Sequence, residues 1–284
     1  MYKFSVQNSI HFSIHFVIHK GGYKMKIITI MNNKGGESKT TTALSLLAGL
    51  TDRGYKALAL DLDPQANLSY TLKANSSKTM LGVITGETDA KDAIQPVDKG
   101  FLIQSSQALA VIDNILDQLE IITGRTLLLK KALKPLASDF DFIIIDTPPA
   151  LNTLTVSSLI ASDFVVIPAQ ADIYSLQGLS KISETVKKLT TARDETPALN
   201  PKLKIAGILL TRYSDRSILS KDFFTIFNQK ATEFNTRIFK STIREAVVVR
   251  EAHARQQDLF SYAPKANVTQ DYNNFIDELL EEIK

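Results

Sequence analysis

Short continuous apolar runs alternate along this chain with longer stretches of helical periodicity. Runs at 26–31, 56–61, 101–104, 142–146, 164–168 and 205–211 predict strands, and the intervals 40–53, 125–137, 176–192 and 217–234 predict helices. A run such as Phe142-Ile143-Ile144-Ile145 lacks polar alternation, which suits a strand buried on both faces. Strands alternating with helices predict an α/β fold, a mostly parallel twisted sheet with helices on both faces. Residues 73–100, with Ser76, Ser77, Gly82, Gly86 and Pro96, read as a surface excursion. Near the end, Phe275, Ile276, Leu279, Leu280 and Ile283 recur at helical spacing and predict a helix over 272–283 that closes the core.

The first strand runs directly into Asn33-Lys34-Gly35-Gly36-Glu37-Ser38-Lys39-Thr40-Thr41, and a helical pattern follows. Strand, glycine turn and helix start together make a phosphate-holding P-loop. Unpaired N–H groups and partial positive charge at the helix N-terminus attract the anion. Gly35 and Gly36 let the backbone approach it, Lys39 supplies a point charge, and the Thr40 hydroxyl suits Mg²⁺. Lys34, Glu37, Ser38 and Thr41 complete the candidate nucleotide-binding loop. Glu37 is unexpected, because it puts a carboxylate beside a polyanion. At ~4 Å two unit charges repel by ~1 kcal/mol in water and ~4 kcal/mol in a partly buried site. A solvent-facing Glu37 leaves a working site, and one facing the phosphates weakens binding or turnover.

Two further strand ends carry carboxylates. Leu60-Asp61-Leu62-Asp63-Pro64-Gln65 closes the second strand. In an open parallel sheet ligands bind beyond the carboxyl ends of the strands, so both aspartates are expected to face the loop. Asp141-Phe142-Ile143-Ile144-Ile145-Asp146-Thr147-Pro148-Pro149 places Asp146 after four apolar residues, where Mg²⁺ and its waters need negative charge. The prolines behind it stiffen the following loop.

Composition narrows the class. With 284 residues, 44% of them hydrophobic, the chain is long enough for a large core. There are no cysteines, which excludes disulfides, thiolate zinc sites and cysteine-held iron–sulfur clusters and fits a cytoplasmic setting. The formal net charge of +3 is unevenly spread. Residues 181–265 hold 16 Lys and Arg against 9 Asp and Glu, whereas residues 266–284 hold 1 against 5. The basic stretch suggests a polyanion partner such as DNA. Residues 1–24 stand outside the pattern as an N-terminal extension, with residues 25–284 as one domain. His11, His15 and His19 share a face on helix or strand, but no acidic residue joins them. An added strand, a flexible tail or an upstream start explains the segment better than a metal site.

The loop with its early lysine resembles the variant P-loop of the ParA/MinD ATPases, whose usual form is KGGVGKT. The DPQ strand end, the Asp146-Thr147-Pro148-Pro149 switch, Ser162-Asp163 and Tyr262-Ala263-Pro264-Lys265 extend the resemblance over about residues 25–284. It is closest to ParA/Soj, the partition ATPases, in the short form without an operator-binding helix-turn-helix domain.

The resemblance implies ATP and Mg²⁺ joining two subunits face to face, with each Lys34 reaching the partner's phosphates. It makes Lys34, Lys39 and Asp63 catalytic, with Asp63 orienting the attacking water. Asp61 supports the Mg²⁺ shell alongside Thr40 and Asp146, and Thr211 and Arg212 lie at the nucleotide. It further implies a homodimer that binds double-stranded DNA without sequence preference on the nucleoid, and a ParB-like centromere-binding protein that stimulates hydrolysis. Arg216, Lys221, Lys240, Arg244 and Arg250 are the DNA-binding candidates. A membrane-cycling relative would need a basic amphipathic terminus, and the acidic end here opposes that. A nucleotide-gated DNA-binding scaffold with little turnover stays open, because of Glu37 and Ser38.

Overall fold

The computed structural model describes residues 24–118, 124–192, 197–214 and 218–284. The histidines of the leading segment therefore lie outside the described residues, as does Arg216. Seven strands form one sheet: β1 (Lys26–Ile30), β2 (Ala57–Asp61), β3 (Gln95–Pro96), β4 (Phe101–Ile103), β5 (Phe142–Asp146), β6 (Phe164–Ala169) and β7 (Lys204–Leu210). Their order is β3-β4-β2-β5-β1-β6-β7, parallel throughout except for β3, which runs antiparallel to β4. All six predicted strands are present.

Helices cover both faces. On one lies α1 (Lys39–Asp52), which follows the glycine loop. Behind β2 come α2 (Asn67–Thr71), α3 (Met80–Thr85) and α4 (Ala90–Ala93), then α5 (Ile112–Gln118) and α6 (Leu128–Leu133) before β5. The rest are α7 (Thr153–Ala161), α8 (Ile173–Thr190), α9 (Ile218–Glu233), α10 (Val247–Ala254), α11 (Leu259–Tyr262) and α12 (Asn267–Glu282). Among the described residues, no helix is long and apolar enough to cross a membrane.

The two-residue period of a strand sorts side chains between the layers. Phe142 and Ile144 pack with α1 and α12, while Ile143 and Ile145 pack with α3 and α6 on the other face. Val165, Ile167, Ile208 and Leu210 form a third cluster with α7, α8 and α9. The helix α12 lies close against α1, because Gly49 has no side chain. A Cβ there would stand 2.3 Å from Ile276 Cδ1.

Two expectations need correction. Residues 73–100 are not a surface excursion. Met80, Val83, Ile84, Ala90 and Ala93 are buried, and β3 extends the sheet. The polar residues between them mask short elements whose apolar positions are too few to show a period. The helix predicted over 125–137 is a single α-helical turn and a half flanked by 3₁₀ turns, broken where Pro135 removes an amide donor.

Candidate functional site

Strands β1, β2 and β5 end level with one another. Asp146 pairs in register with Ile30 on one side and Asp61 on the other. The loops leaving these three strands therefore gather at one edge of the sheet, and the sequence has placed its carboxylates and glycines there.

The loop between β1 and α1 is held open by two left-handed residues, Gly36 at φ 80° and Ser38 at φ 65°. Glycine adopts this conformation freely, but serine does so at a cost of about 1–2 kcal/mol. Ser38 caps α1 without a side-chain hydrogen bond, so its hydroxyl does not offset that cost there. Lys39 is buried, and its Nζ donates to the Lys34 carbonyl at 3.0 Å. Burial pulls its pKa below the ordinary lysine value, against the opposing charges of Asp146, Asp63 and Glu37.

The Thr40 hydroxyl donates to Asp146 Oδ2 at 2.7 Å. Asp146 Oδ1 is buried with no hydrogen-bond partner. Burial, then the charge of neighbouring Asp61, pushes the Asp146 carboxyl well above the usual carboxylate range. A carboxylate held this way calls for a cation. Among the described residues no three His, Cys, Asp or Glu side chains are grouped to hold a metal alone. Mg²⁺ takes one or two protein oxygens and completes its shell with phosphates and water. Thr40 and Asp146 fit the ion.

Asp61 and Asp63 divide their work. Asp61 Oδ2 accepts from the Ser69 amide at 2.8 Å and the Ser69 hydroxyl at 2.6 Å, and Oδ1 accepts from the Asp63 amide at 3.1 Å. Its carboxylate thus ties down the loop after β2, and burial raises its pKa to about 6. Asp63 accepts from the Gln65 amide through Oδ1 at 3.0 Å and lines the cavity above the glycine loop.

That cavity has a volume of about 710 Å³. Its lining includes the loop from Gly35 to Thr41, Asp63, Pro149, Arg212, Arg244 and Arg250. Its size suits a nucleotide. Arg212, at φ 50°, lines it, whereas Thr211 is buried at the end of β7.

Glu37 does not face solvent. It is fully buried, and Oε2 accepts from the Gln170 amide at 2.5 Å and the Ser175 hydroxyl at 3.2 Å. Oε1 stands 2.8 Å from Lys34 Nζ, an ion pair whose alignment falls short of a hydrogen bond. Lys34 Nζ also donates to Asp172 Oδ2 at 2.7 Å. Burial works against the ammonium, but Asp172 and Glu37 outweigh it and hold the Lys34 pKa above its ordinary value.

The DNA candidates fare unevenly. Arg244 is bound to Asp271 through Nε and a terminal nitrogen at 2.6 and 2.7 Å, and it lines the nucleotide cavity. Arg250 lines the same cavity. Lys240 lies among Asp277, Glu278, Glu281 and Glu282, a setting that repels phosphate. The side chain of Lys221 lies outside the described residues. Sequence reading missed Gln170, Asp172 and Ser175. The Asp-x-x-Ser spacing before an apolar run is the helix-cap signal that could have found Asp172, whose Oδ1 accepts from the Ser175 amide at 2.9 Å.

The sequence matches the AAA domain family over residues 25–205. It is 32% identical over 259 residues to the chromosome-partitioning ATPase Soj of Treponema pallidum, covering 90% of this chain and 97% of that protein. The chain belongs to the ParA/Soj family of ATPases. Its fold is that of the wider superfamily. The ATP complex of a Cyanothece McdA variant superposes with a TM-score of 0.78 at 27% identity, covering 92% of this chain and 97% of that one. A Mycobacterium smegmatis cobyrinic acid a,c-diamide synthase holding an ATP analogue and magnesium gives a TM-score of 0.75 at 28% identity, over 91% and 96% of the two chains.

Proposed function

We propose that this chain is a partition ATPase that hydrolyses ATP with Mg²⁺ and pairs face to face with a second copy when ATP is bound. The observation that carries the reading is the convergence of Lys39, Thr40 and Asp63 on one nucleotide-sized cavity at the ends of three adjacent strands, with the buried Asp146 hydrogen-bonded to Thr40. Bound Mg²⁺, held through Thr40 and Asp146, supplies charge neutralisation at the phosphates. Lys39 leaves the Lys34 carbonyl for the phosphate oxygens and stabilises the charge that develops as the terminal phosphoryl group passes to water. Asp63 orients that water, and Asp61 keeps Asp63 in place through the Asp63 amide. Lys34 reaches the phosphates of the opposite subunit, and Arg212 borders the nucleotide.

The ATP-bound pair binds double-stranded DNA without sequence preference, through phosphate contacts from Arg216, Lys221 and Arg250. A ParB-like partner stimulates hydrolysis and releases it. The excess of cations over residues 181–265 supports the DNA reading. Lys34→Ala is expected to abolish ATP-dependent dimers in sedimentation velocity, and unchanged dimers would remove Lys34 from the interface.

A second reading, a nucleotide-gated DNA-binding scaffold with little turnover, draws on the Glu37–Lys34 pair. Phosphate release with DNA and the cognate partner separates the two. A native rate near zero beside a high rate in the Glu37→Val, Ser38→Gly double variant favours the scaffold.

A further inference from the structure

We propose that Glu37 is a positioning residue that holds Lys34 within its own subunit, a restraint the triphosphate of a second copy must overcome before two subunits share nucleotide. This rests on the reading of Lys34 as a contact across the subunit pair.

The geometry separates Glu37 from Asp172. The side chain of Asp172 is 32% exposed, so water can take over when the lysine leaves. Glu37 has no exposure, and its other oxygen is fixed by the Gln170 amide and the Ser175 hydroxyl. Glu37 cannot follow the lysine out, and water cannot replace it without the loop shifting against β6 and α8. Departure of Lys34 therefore strands a buried carboxylate, an arrangement proteins avoid strongly. Lys34 meets two carboxylates, at 2.7 and 2.8 Å, so the cluster is net negative toward an incoming triphosphate. Glycine loops of this kind with valine at this position lack the buried anion. Glu37 thus makes pairing more demanding.

The test compares native protein with Glu37→Gln and Glu37→Val at saturating AMPPNP and Mg²⁺. Sedimentation velocity over a range of protein concentrations gives the dimer dissociation constant, and thermal unfolding verifies that each variant is folded. Glutamine keeps an acceptor for Gln170 and Ser175 while losing the charge, and valine loses both. Both variants are expected to dimerise about tenfold more tightly than native, the size of a modest coupling between sites. Adding Lys34→Ala to Glu37→Gln should abolish dimers, as Lys34→Ala alone does.

Native-like or weaker dimerisation of Glu37→Gln overturns the proposal while leaving the paired dimer intact. A gain confined to Glu37→Val traces to packing and overturns it too, as does a gain that survives loss of Lys34. Native protein and both variants all remaining single at saturation would instead remove the face-to-face dimer itself.

Discussion

Thr40 and Asp146, 106 positions apart in sequence, are joined by a 2.7 Å hydrogen bond that fastens the first turn of α1 to the end of β5. The bond orients the Asp146 carboxylate and leaves its second oxygen buried and unpaired. Thr40→Ala removes both this tether and an oxygen suited to Mg²⁺. Nucleotide affinity in the presence of Mg²⁺ should fall ~10–100-fold, the range seen when partners that orient metal ligands are lost. Calorimetric titration repeated in EDTA should show little difference between Thr40→Ala and native protein. An equal loss with and without Mg²⁺ would mean that Thr40 serves only the loop.

The paired carboxyls set a pH dependence. Burial raises Asp61 from 3.8 to about 6, and Asp146 moves in the same direction. Between those pH values the folded protein binds more protons than the unfolded chain, so stability falls as pH rises through the window from about 4 to about 6. Nucleotide-free protein should therefore gain melting temperature, on account of these two groups, as pH is lowered from 7 toward 5.5. Mg²⁺ with ADP should flatten the dependence, because the cation favours ionised carboxylates. Melting curves across pH, with and without Mg²⁺–ADP, measure both effects.

Ser38 holds φ 65° with no compensating cap bond. Ser38→Gly relieves the left-handed strain and should stabilise the protein by about 1 kcal/mol, after allowing for the greater freedom of glycine in the unfolded chain. Urea denaturation of the nucleotide-free protein checks this. An unchanged midpoint would show that the serine hydroxyl compensates elsewhere.

Asp63 lines the cavity, and its backbone is pinned by Ser105, whose hydroxyl donates to the Asp63 carbonyl at 2.7 Å. Asp63→Ala should reduce turnover by ~10²–10⁴-fold, the usual contribution of a group that orients or deprotonates the attacking species. ATP-bound dimers should persist, because no phosphate contact is lost. Single-turnover hydrolysis and sedimentation read the two effects separately, and normal turnover would move the role to another group.

Much of this protein was written in local pattern. Buried strands announced themselves as unbroken apolar runs, and Lys34, Lys39, Asp61, Asp63 and Asp146 stood out because each occupies a strand end or a glycine turn. The amino acids themselves thus determined the fold class, the level at which ligands bind and the family. What local pattern left hidden was the direction in which side chains point once the layers close. Glu37 looked like a hazard to phosphate; the approach of the β6–α8 junction gave its carboxylate an amide, a hydroxyl and an ammonium from residues up to 138 positions away. Arg244 looked available to DNA until α12 brought Asp271 beneath it. Charge and spacing along the chain specify which groups exist, but the partner of a buried or half-buried charge is chosen by whichever element packs against it, and only tertiary packing decides that.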